Sequence, residues 1–309
     1  MANTKVIKNR IGSVKNTKKI TNAMYLIAST KLRKAKAEMD KVRPFFKATE
    51  KEIKHIFEKR GDVESRYFYP MTGRKKAENY AYLVITADKG LAGPYNSNVI
   101  KATEEEMQRH KHTRLFVIGE YGRQYFTKHK VPIEDRFYFT AQDPNFRRAR
   151  NLSARILAAY DAGEVDEVRV IYSTMEGSLE PKVTIERLLP FERENFGGKP
   201  APESRFHSAP DAASEDYEFV PNATAALDSI IPSYVAGFIY GAMVESFCSE
   251  QNSRMTAMSA ANDNAESLLE ELSKEYNRVR QAAITQEITE VAAGAKAQRK
   301  KREKEAAKR

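Results

Sequence analysis

Apolar residues recur along the first part of the chain in alternating steps of four and three, the spacing of a coiled-coil helix. The seam positions are Ile7, Ile11, Val14, Tyr25, Ala28, Leu32, Ala35, Met39, Val42 and Phe46, with Lys18 and Thr21 as polar interruptions. Polar residues at seam positions favour one register over others. Pro44 lacks a backbone donor and predicts a kink or a join. The pattern stops at Gly61, so residues 1–60 are predicted to form an N-terminal coiled-coil helix.

A second helical pattern occupies the end of the chain. It begins after Asn222, a residue type suited to the N-cap position, and continues to Gly294. Its seam is clearest at Ala265, Leu269, Leu272, Tyr276, Val279 and Ala283. A helix over residues 222–295 would be on the order of 110 Å long at roughly 1.5 Å per residue, so a partner helix is expected along it. Pro232 predicts a kink or a helix break near its start.

Residues 61–221 have a different pattern, in which short β-branched and aromatic runs alternate with helical stretches. The runs are YAYLVIT (80–86), RLFVIG (114–119) and EVRVIYSTM (167–175), and the helical stretches lie near 98–111, 120–129 and 144–161. This alternation predicts βαβ units around a mainly parallel sheet. KVTIERLLP (182–190) follows a short turn and is predicted to be an antiparallel edge strand. Residues 192–216 are polar and rich in Pro, Gly and Ser, which predicts a mobile or functional loop.

The order of these segments predicts the architecture. Because the first helix leads into the α/β domain and the last helix leaves it, the two helices are expected to run antiparallel, with both chain ends at the far tip. The predicted fold is therefore α/β, a long antiparallel two-helix coiled coil with a Rossmann-like domain inserted between its helices. Residues 296–309 are predicted to form a separate basic tail.

The positive charge of the chain is concentrated at its two ends. The whole chain carries +10, while residues 1–60 carry +12, residues 296–309 carry +6 and the remainder is acidic at −8. Basic ends indicate a nucleic acid, an anionic membrane surface or an acidic protein as partner. For any one lysine, a solvated helix face is the simpler explanation.

The cysteine content and the hydropathy of the chain indicate the type of compartment in which it resides. Cys248 is the single cysteine, which excludes an internal disulfide framework and fits a reducing environment. No run of eighteen apolar residues occurs, so no membrane span is expected. The N-terminus lacks the apolar centre of a secretory signal, and its heptad pattern already starts at Ile7.

No motif in the chain predicts catalysis. TADKGLAGPYN (86–96) stands between a strand and a helix, as a phosphate-binding loop would, but it lacks the P-loop and dinucleotide signatures. Its Gly90 and Gly93 are better explained by a tight turn. His110 and His112 lie in a charged helix end, and no further ligand pattern completes a metal site.

Three long segments resemble the gamma subunit of the F-type ATP synthase. They are NRIGSVKNTKKITNAMYLIASTKLRKA (9–35), ITADKGLAGPYN (85–96) and RMTAMSAANDNAESLLEELSKEYNRVRQAAITQEITEVAAGA (254–295). The resemblance covers both termini and the first strand and turn of the middle domain. It implies a central rotor shaft, in which the coiled coil stands inside a ring of alternating alpha and beta subunits.

The resemblance also implies the partners and the division of labour. The expected partners are the alpha and beta subunits, the epsilon subunit and the membrane c ring, with no nucleic acid. The chain would be a non-catalytic subunit without a cofactor or metal, because ATP, ADP and Mg would be bound by partner subunits. It would couple proton-driven rotation of the c ring to ATP synthesis or hydrolysis, on the cytoplasmic side of the bacterial plasma membrane. A processed organellar source remains an alternative.

Individual residues carry over from the family pattern. Arg280, Gln281 and Thr285 match the RQAxxT segment that contacts the catch loops of the beta subunits. Met24 matches the methionine near an acidic loop of a beta subunit. The DYEFVP stretch resembles the foot segment, which makes Tyr217, Glu218 and Phe219 candidates for contact with the c ring.

The chain departs from a common form of the family in its 86–96 loop. Ala92 and Pro94 stand where many members have cysteine and glycine. The competing hypothesis is a basic coiled coil that binds nucleic acid or acts as a scaffold. Such a protein would be expected to carry arginines that read bases or interleaved stacking aromatics, and the lysine-dominated first helix offers few of either. An enzyme built on the α/β domain lacks a catalytic set.

Overall fold

A computed structural model of the chain describes residues 2–59, 63–69, 77–135, 137–175, 181–196 and 219–306. Helix α1 spans Ala2–Lys59 and helix α5 spans Ala223–Ala306. Between them, in chain order, lie β1 (Asn79–Ile85), α2 (Tyr95–Met107), β2 (His112–Ile118), α3 (Glu120–Lys128), α4 (Phe146–Asp161), β3 (Glu167–Thr174) and β4 (Lys182–Leu189). The chain divides into two compact units, one made of Met1–Leu26 with Met258–Arg309 and the other of Ile27–Ala257. The predicted fold class is confirmed.

The two long helices are continuous through their prolines. Pro44 lies inside α1 and Pro232 lies inside α5, so neither proline ends its helix, and the kink that was the alternative at each proline stays a prediction. A proline inside a helix removes one hydrogen bond and costs about 3 kcal/mol. On either side of Pro232, however, Ile231 and Val235 are fully buried, and burying two such side chains offsets a cost of this size.

Helix α5 begins where its cap residue predicts and ends later than its pattern predicts. The side chain of Asn222 accepts a hydrogen bond from the Ala225 amide at 2.9 Å, which confirms the N-cap. The helix continues past the predicted end at residue 295 as far as Ala306, so the part of the basic tail that the structure describes is helical.

The sheet has the strand order β2–β1–β3–β4. Strand β1 pairs in parallel with both β2 and β3, and β4 pairs antiparallel with β3 at the edge, which confirms the predicted βαβ units and edge strand. Side chains of β1 alternate between two cores: Ala81, Leu83 and Ile85 pack with residues of α4 and α5, whereas Tyr80, Tyr82 and Val84 pack with residues of α2 and α3. The sheet is therefore covered by helices on both faces, as parallel sheets require.

Helices α1 and α5 are antiparallel within the 27–257 unit. Phe46 packs directly on the backbone of Gly237, and one helical turn further along α5, Gly241 approaches Met39. Residue numbers thus decrease along α1 where they increase along α5, which is the antiparallel arrangement. Phe46 also meets the rings of Phe146 and Tyr240, which joins the helix pair to α4.

The same direction holds within the unit formed by the two chain ends. Thr21 donates a hydrogen bond to the side chain of Asn262, and Lys18 forms an ion pair with Glu266 at 3.2 Å. Extending this register one residue at a time places the first residue of α1 level with about residue 282 of α5. The last part of α5 therefore projects past the start of α1 by roughly 35 Å. The start of α1 and the end of α5 thus lie in the same unit, and α5 extends further than α1.

One helix in the described part of the chain is long and apolar enough to cross a membrane. Within residues 223–298, an 18-residue window reaches a mean hydropathy of 1.3, and 56% of that window is buried inside the protein. A core helix of a soluble protein passes the same test, so this is weak evidence for a span.

Candidate functional site

The residues predicted to contact partner subunits lie in the unit formed by the chain ends, but not in one place. Arg280, Gln281 and Thr285 are all exposed on α5, and the Thr285 hydroxyl donates to the Gln281 carbonyl at 2.9 Å. Met24 is half-buried on α1, near the level of Thr21 and its partner on α5. About twenty residues of α5, or roughly 30 Å, separate that level from Arg280. The structure thus places the residues predicted to contact partner subunits in two separate regions.

The end of α5 carries an apolar stripe that nothing in the described part of the chain covers. Ile284, Ile288 and Val291 follow one another at helical spacing and are 45%, 63% and 73% exposed. Every residue from 284 to 298 is exposed, since this stretch lies past the start of α1. We call the projecting stretch 283–298 the terminal helix. An apolar stripe on a lone helix indicates a surface that a partner covers.

The predicted foot segment is only partly described. Tyr217 and Glu218 lie outside the described residues. Phe219 is half-buried and packs against the main core of the 27–257 unit, so part of its ring is occupied by its own domain.

The sheet has the place where α/β folds usually bind a ligand, at the carboxyl ends of β1 and β3. Helices α2 and α4, which precede β2 and β3, lie on opposite faces of the sheet, and such a switch point opens a crevice between the neighbouring strands. The 86–96 loop follows β1 into this region. Its Asp88 carboxylate accepts hydrogen bonds from the amides of Glu120, Ala141 and Gln142 at 3.0 to 3.2 Å, so it is used to fix the loop.

Helix α5 contacts the residues around this crevice through a row of polar side chains. The row consists of Ser246, Ser249, Glu250, Ser253 and Arg254, whose spacing puts them on one helix face. The Ser246 hydroxyl lies 2.6 Å from that of Tyr95, and the Ser249 hydroxyl lies 2.9 Å from that of Ser173 at the end of β3. The Arg254 guanidinium donates to the Gly90 carbonyl at 3.1 Å and to the Glu250 carboxylate. Helix α5 thus stands where a nucleotide would lie in other α/β folds.

Burial changes the ionisation of these groups. All five members of the row are at least nine-tenths buried. Burial raises the pKa of the Glu250 carboxyl, although the positive charge of Arg254 acts in the opposite direction. Burial also raises the pKa of the Tyr95 phenol, so its hydroxyl stays protonated and available for the contact with Ser246.

Of the two histidines singled out by the sequence, His110 has structural partners, whereas His112 is the exposed first residue of β2 and not part of a helix end. The His110 ring stacks on Tyr80 at 3.6 Å between centroids, and its Nδ1 lies 2.6 Å from the Tyr82 hydroxyl. Among the described residues, no group of three His, Cys, Asp or Glu side chains is placed to hold a metal ion.

The buried row on α5 is the feature that sequence reasoning missed. Its signal is present in the sequence as polar residues at steps of three, one, three and one, close to the apolar residues 242–244 and 247. What the sequence does not show is that Tyr95 and Ser173, far away along the chain, supply the matching hydroxyls.

Comparison with known proteins decides the family. A family model described as ATP synthase matches residues 3–298. An ATP synthase gamma chain from Caldanaerobacter subterraneus subsp. tengcongensis is 40% identical over 287 residues, covering 93% of this chain and 97% of the relative. The chain belongs to the ATP synthase gamma chain family. The resemblance stated from the sequence is therefore confirmed.

Further relatives and structures agree with this assignment. A gamma chain described as sodium ion specific, from Acetobacterium woodii, is 36% identical and covers 96% of this chain and 98% of its own. A chain of the Euglena gracilis mitochondrial ATP synthase has a TM-score of 0.63 at 16% identity, covering 96% of this chain and 94% of that chain. A chain in the central stalk and c-ring structure from Tetrahymena thermophila has a TM-score of 0.56 at 21% identity, covering 78% and 99%. At these identities, the structural matches show the gamma-chain fold.

Proposed function

We propose that this gamma chain is the central-stalk rotor of a proton-translocating ATP synthase and couples rotation of the c ring to ATP synthesis or hydrolysis at the beta subunits. The observation that carries the proposal is the terminal helix. It projects past its partner helix with Ile284, Ile288 and Val291 exposed. A ring of subunits around this helix would cover the apolar stripe without a permanent fixed contact.

The length and stiffness of the helices fit this role. One charge crossing the membrane supplies roughly 2.3 kcal/mol per 100 mV, which is too little to make one ATP. Several steps must therefore be accumulated and delivered mechanically. A continuous α5 of 84 residues, paired with a continuous α1 of 58 residues, provides an element that can turn without unwinding.

Two contact regions would transmit the rotation. Arg280, Gln281 and Thr285 present donors and acceptors beside the apolar stripe of the terminal helix, where the catch loops of beta subunits would meet them. Arginine suits such a contact because its fork of five donors binds carboxylates in two-point fashion. Met24, about 30 Å away along the helix pair, would meet the acidic loop of a beta subunit, and the net charge of +12 on residues 1–60 favours that approach.

The remaining assignments follow from membership in the family. We infer that the chain has no catalytic site, cofactor or metal of its own and that partner subunits bind ATP, ADP and Mg. Helix α5 supports this, because it lies against the crevice in which an α/β domain would hold a nucleotide. Tyr217, Glu218 and Phe219 would face the c ring beside the epsilon subunit. The complex would lie on the cytoplasmic side of the bacterial plasma membrane.

A double substitution tests the rotor assignment. In the assembled complex, Arg280→Ala with Gln281→Ala should lower ATP synthesis severalfold, because the two polar contacts just before the terminal helix are lost. The matched control is Gln286→Ala, an exposed glutamine on a different face of the same helix, whose side-chain amide donates only to Glu290. Full synthesis by the double variant would contradict the assignment. Binding of DNA at physiological salt, together with failure to co-purify with an ATPase ring, would favour the nucleic-acid hypothesis instead.

A further inference from the structure

The buried polar row of α5 is unusual for a helix that packs on a sheet. Neighbouring positions on the same stretch, such as Met243, Val244 and Phe247, are apolar and buried. Burying five polar side chains costs free energy unless each finds a partner. Apolar packing alone would hold the helix against the domain, so the polar row needs another reason.

Each end of the row is tied to a different element of the α/β domain. Near its start, Ser246 meets Tyr95, the first residue of α2. In its middle, Ser249 meets Ser173 near the carboxyl end of β3. At its end, Arg254 reaches the Gly90 carbonyl in the loop after β1. Over two turns, α5 is therefore hydrogen-bonded to three separate elements of the domain.

Hydrogen bonds restrain motion that apolar contacts permit. Apolar burial is non-directional, so a helix can rotate or slide on an apolar surface while burying a similar area. A hydrogen bond weakens steeply when its angle or distance changes. Rotation of α5 about its own axis would break all three contacts at once, and leaving the buried hydroxyls of Tyr95, Ser246, Ser173 and Ser249 without partners would be costly.

We propose that the Tyr95–Ser246, Ser173–Ser249 and Gly90–Arg254 contacts form a torque joint that fixes the rotational position of α5 on the α/β domain. The inference rests on the proposed rotor function and deepens it. In the proposed rotor, the α/β domain would take up torque from partner subunits, whereas α5 carries the terminal helix. Tyr95, Ser246 and Arg254 are then positioning residues for energy coupling, acting through the rotational position of α5 on the domain.

Substitutions in the assembled, membrane-reconstituted complex test the joint. Arg254→Met, and separately the pair Tyr95→Phe with Ser246→Ala, should lower the protons pumped per ATP hydrolysed at least twofold while hydrolysis continues. Two controls remove similar contacts outside the joint. Arg148→Met removes an arginine that donates to the Gln142 carbonyl at 2.6 Å, and Tyr160→Phe removes a hydroxyl that donates to the Arg66 carbonyl at 2.8 Å. Both controls should keep the parent ratio.

A reversible cross-link separates a joint from a general folding defect. The Ser173 and Ser249 hydroxyls are 2.9 Å apart, so cysteines at both positions come near the spacing that a disulfide requires. With Cys248→Ala to remove the native thiol, Ser173→Cys with Ser249→Cys should restore the pumping ratio of Arg254→Met when oxidised and lose it again when reduced. A merely misfolded variant would not respond to the oxidation state in this way.

The possible results distinguish failure of the torque joint from failure of the rotor function. An unchanged pumping ratio in assembled complexes of both joint variants, or no recovery on oxidation, would overturn the joint while leaving the rotor function standing. If Arg254→Met alone fails to assemble, the milder Tyr95→Phe with Ser246→Ala pair decides. A parent chain that enters no ATPase complex, or full synthesis by the Arg280→Ala and Gln281→Ala variant, would overturn the rotor function and the joint with it.

Discussion

Helix α5 presents two different surfaces along one continuous backbone. In residues 223–257, a row of apolar side chains is almost fully buried, including Leu227, Ile231, Val235, Ile239 and Phe247. In residues 258–306, only Met258, Ala265 and Leu272 are buried apolar residues among the described side chains, and every residue from 284 to 298 is exposed. The backbone conformation is the same in both stretches, so the difference lies in the partners.

The difference shows which interactions the chain makes by itself and which await other subunits. The first stretch buries apolar side chains against its own domain and adds hydrogen-bonded contacts at Ser246, Ser249 and Arg254. The second stretch carries isoleucine and valine at helical spacing with no cover. A helix whose residues are exposed and that packs against no partner is only marginally stable in water. The terminal helix is therefore expected to gain much of its order inside the complex.

The largest predicted effect comes from comparing isoleucines of the two stretches. Ile239 is fully buried in the main core, whereas Ile288 is 63% exposed. Ile239→Ala should lower the free energy of unfolding by about 2–5 kcal/mol, because it removes buried carbons and leaves a cavity. Ile288→Ala should change it by less than about 0.5 kcal/mol, as substitutions away from packed sites do. Thermal or denaturant unfolding of the full-length chain measures both.

The same two substitutions can contradict the contrast between the two stretches of α5. If Ile288→Ala destabilises the isolated chain as much as Ile239→Ala does, the terminal helix is covered by the chain itself and its exposed stripe is not a partner surface. In the assembled complex, Ile288→Ala is expected to reduce ATP synthesis although the isolated chain keeps its stability.

A smaller effect separates two glycines of α5. A Cβ added at Gly237 would lie 2.0 Å from Cε1 of Phe46, while a Cβ at Gly294 would meet nothing within 4 Å. The Phe46 ring is held among Phe45, Phe146 and Tyr240, so it has little room to move. Gly237→Ala should destabilise the chain by about 1–3 kcal/mol through overpacking. Gly294→Ala should stabilise its helix by about 0.5–1 kcal/mol, and circular dichroism melts with opposite shifts would confirm both.

The sequence predicts the parts of the fold that depend on local periodicity. The heptad seams place the two long helices, and the β-branched runs place β1, β2, β3 and the antiparallel β4, because side-chain spacing reports which face is buried. The Asn222 cap is likewise a local signal. The α/β domain and the antiparallel direction of the helices then follow from connectivity.

The features that the sequence left open depend on non-local packing or on the end of a weak pattern. Pro232 does not break α5, since the burial of Ile231 and Val235 overrides the local cost. The helix extends to Ala306 because alanine and charged residues support a helix without an apolar seam. Of the site residues, Arg280, Gln281, Thr285 and Met24 came from family resemblance, and their roles stay predictions.

The contacts of the torque joint could not be predicted from the sequence alone. Ser246 and Ser249 are weak helix formers, and the sequence does not indicate which residues their hydroxyls contact. Only the fold shows that Tyr95 and Ser173 lie opposite these serines, at distances of 2.6 and 2.9 Å. Pairings between residues more than seventy positions apart leave no local trace.

The smallest predicted effect concerns Cys248, which lies in the buried stretch of α5. Burial raises the pKa of its thiol to about 11, from an ordinary value of 9.0. At pH 8, the thiolate fraction should therefore be roughly 100-fold lower than in the unfolded chain, and a thiol reagent should label the native protein at least that much more slowly. Because the folded pKa is the higher one, the associated stability is fully present below about pH 9 and is lost as pH rises through about 11. Cys248→Ala should abolish both the labelling and this share of the alkaline destabilisation, whereas rapid labelling of the native chain at pH 8 would mean that this stretch of α5 opens readily and that the contrast between its two surfaces is weaker than the structure indicates.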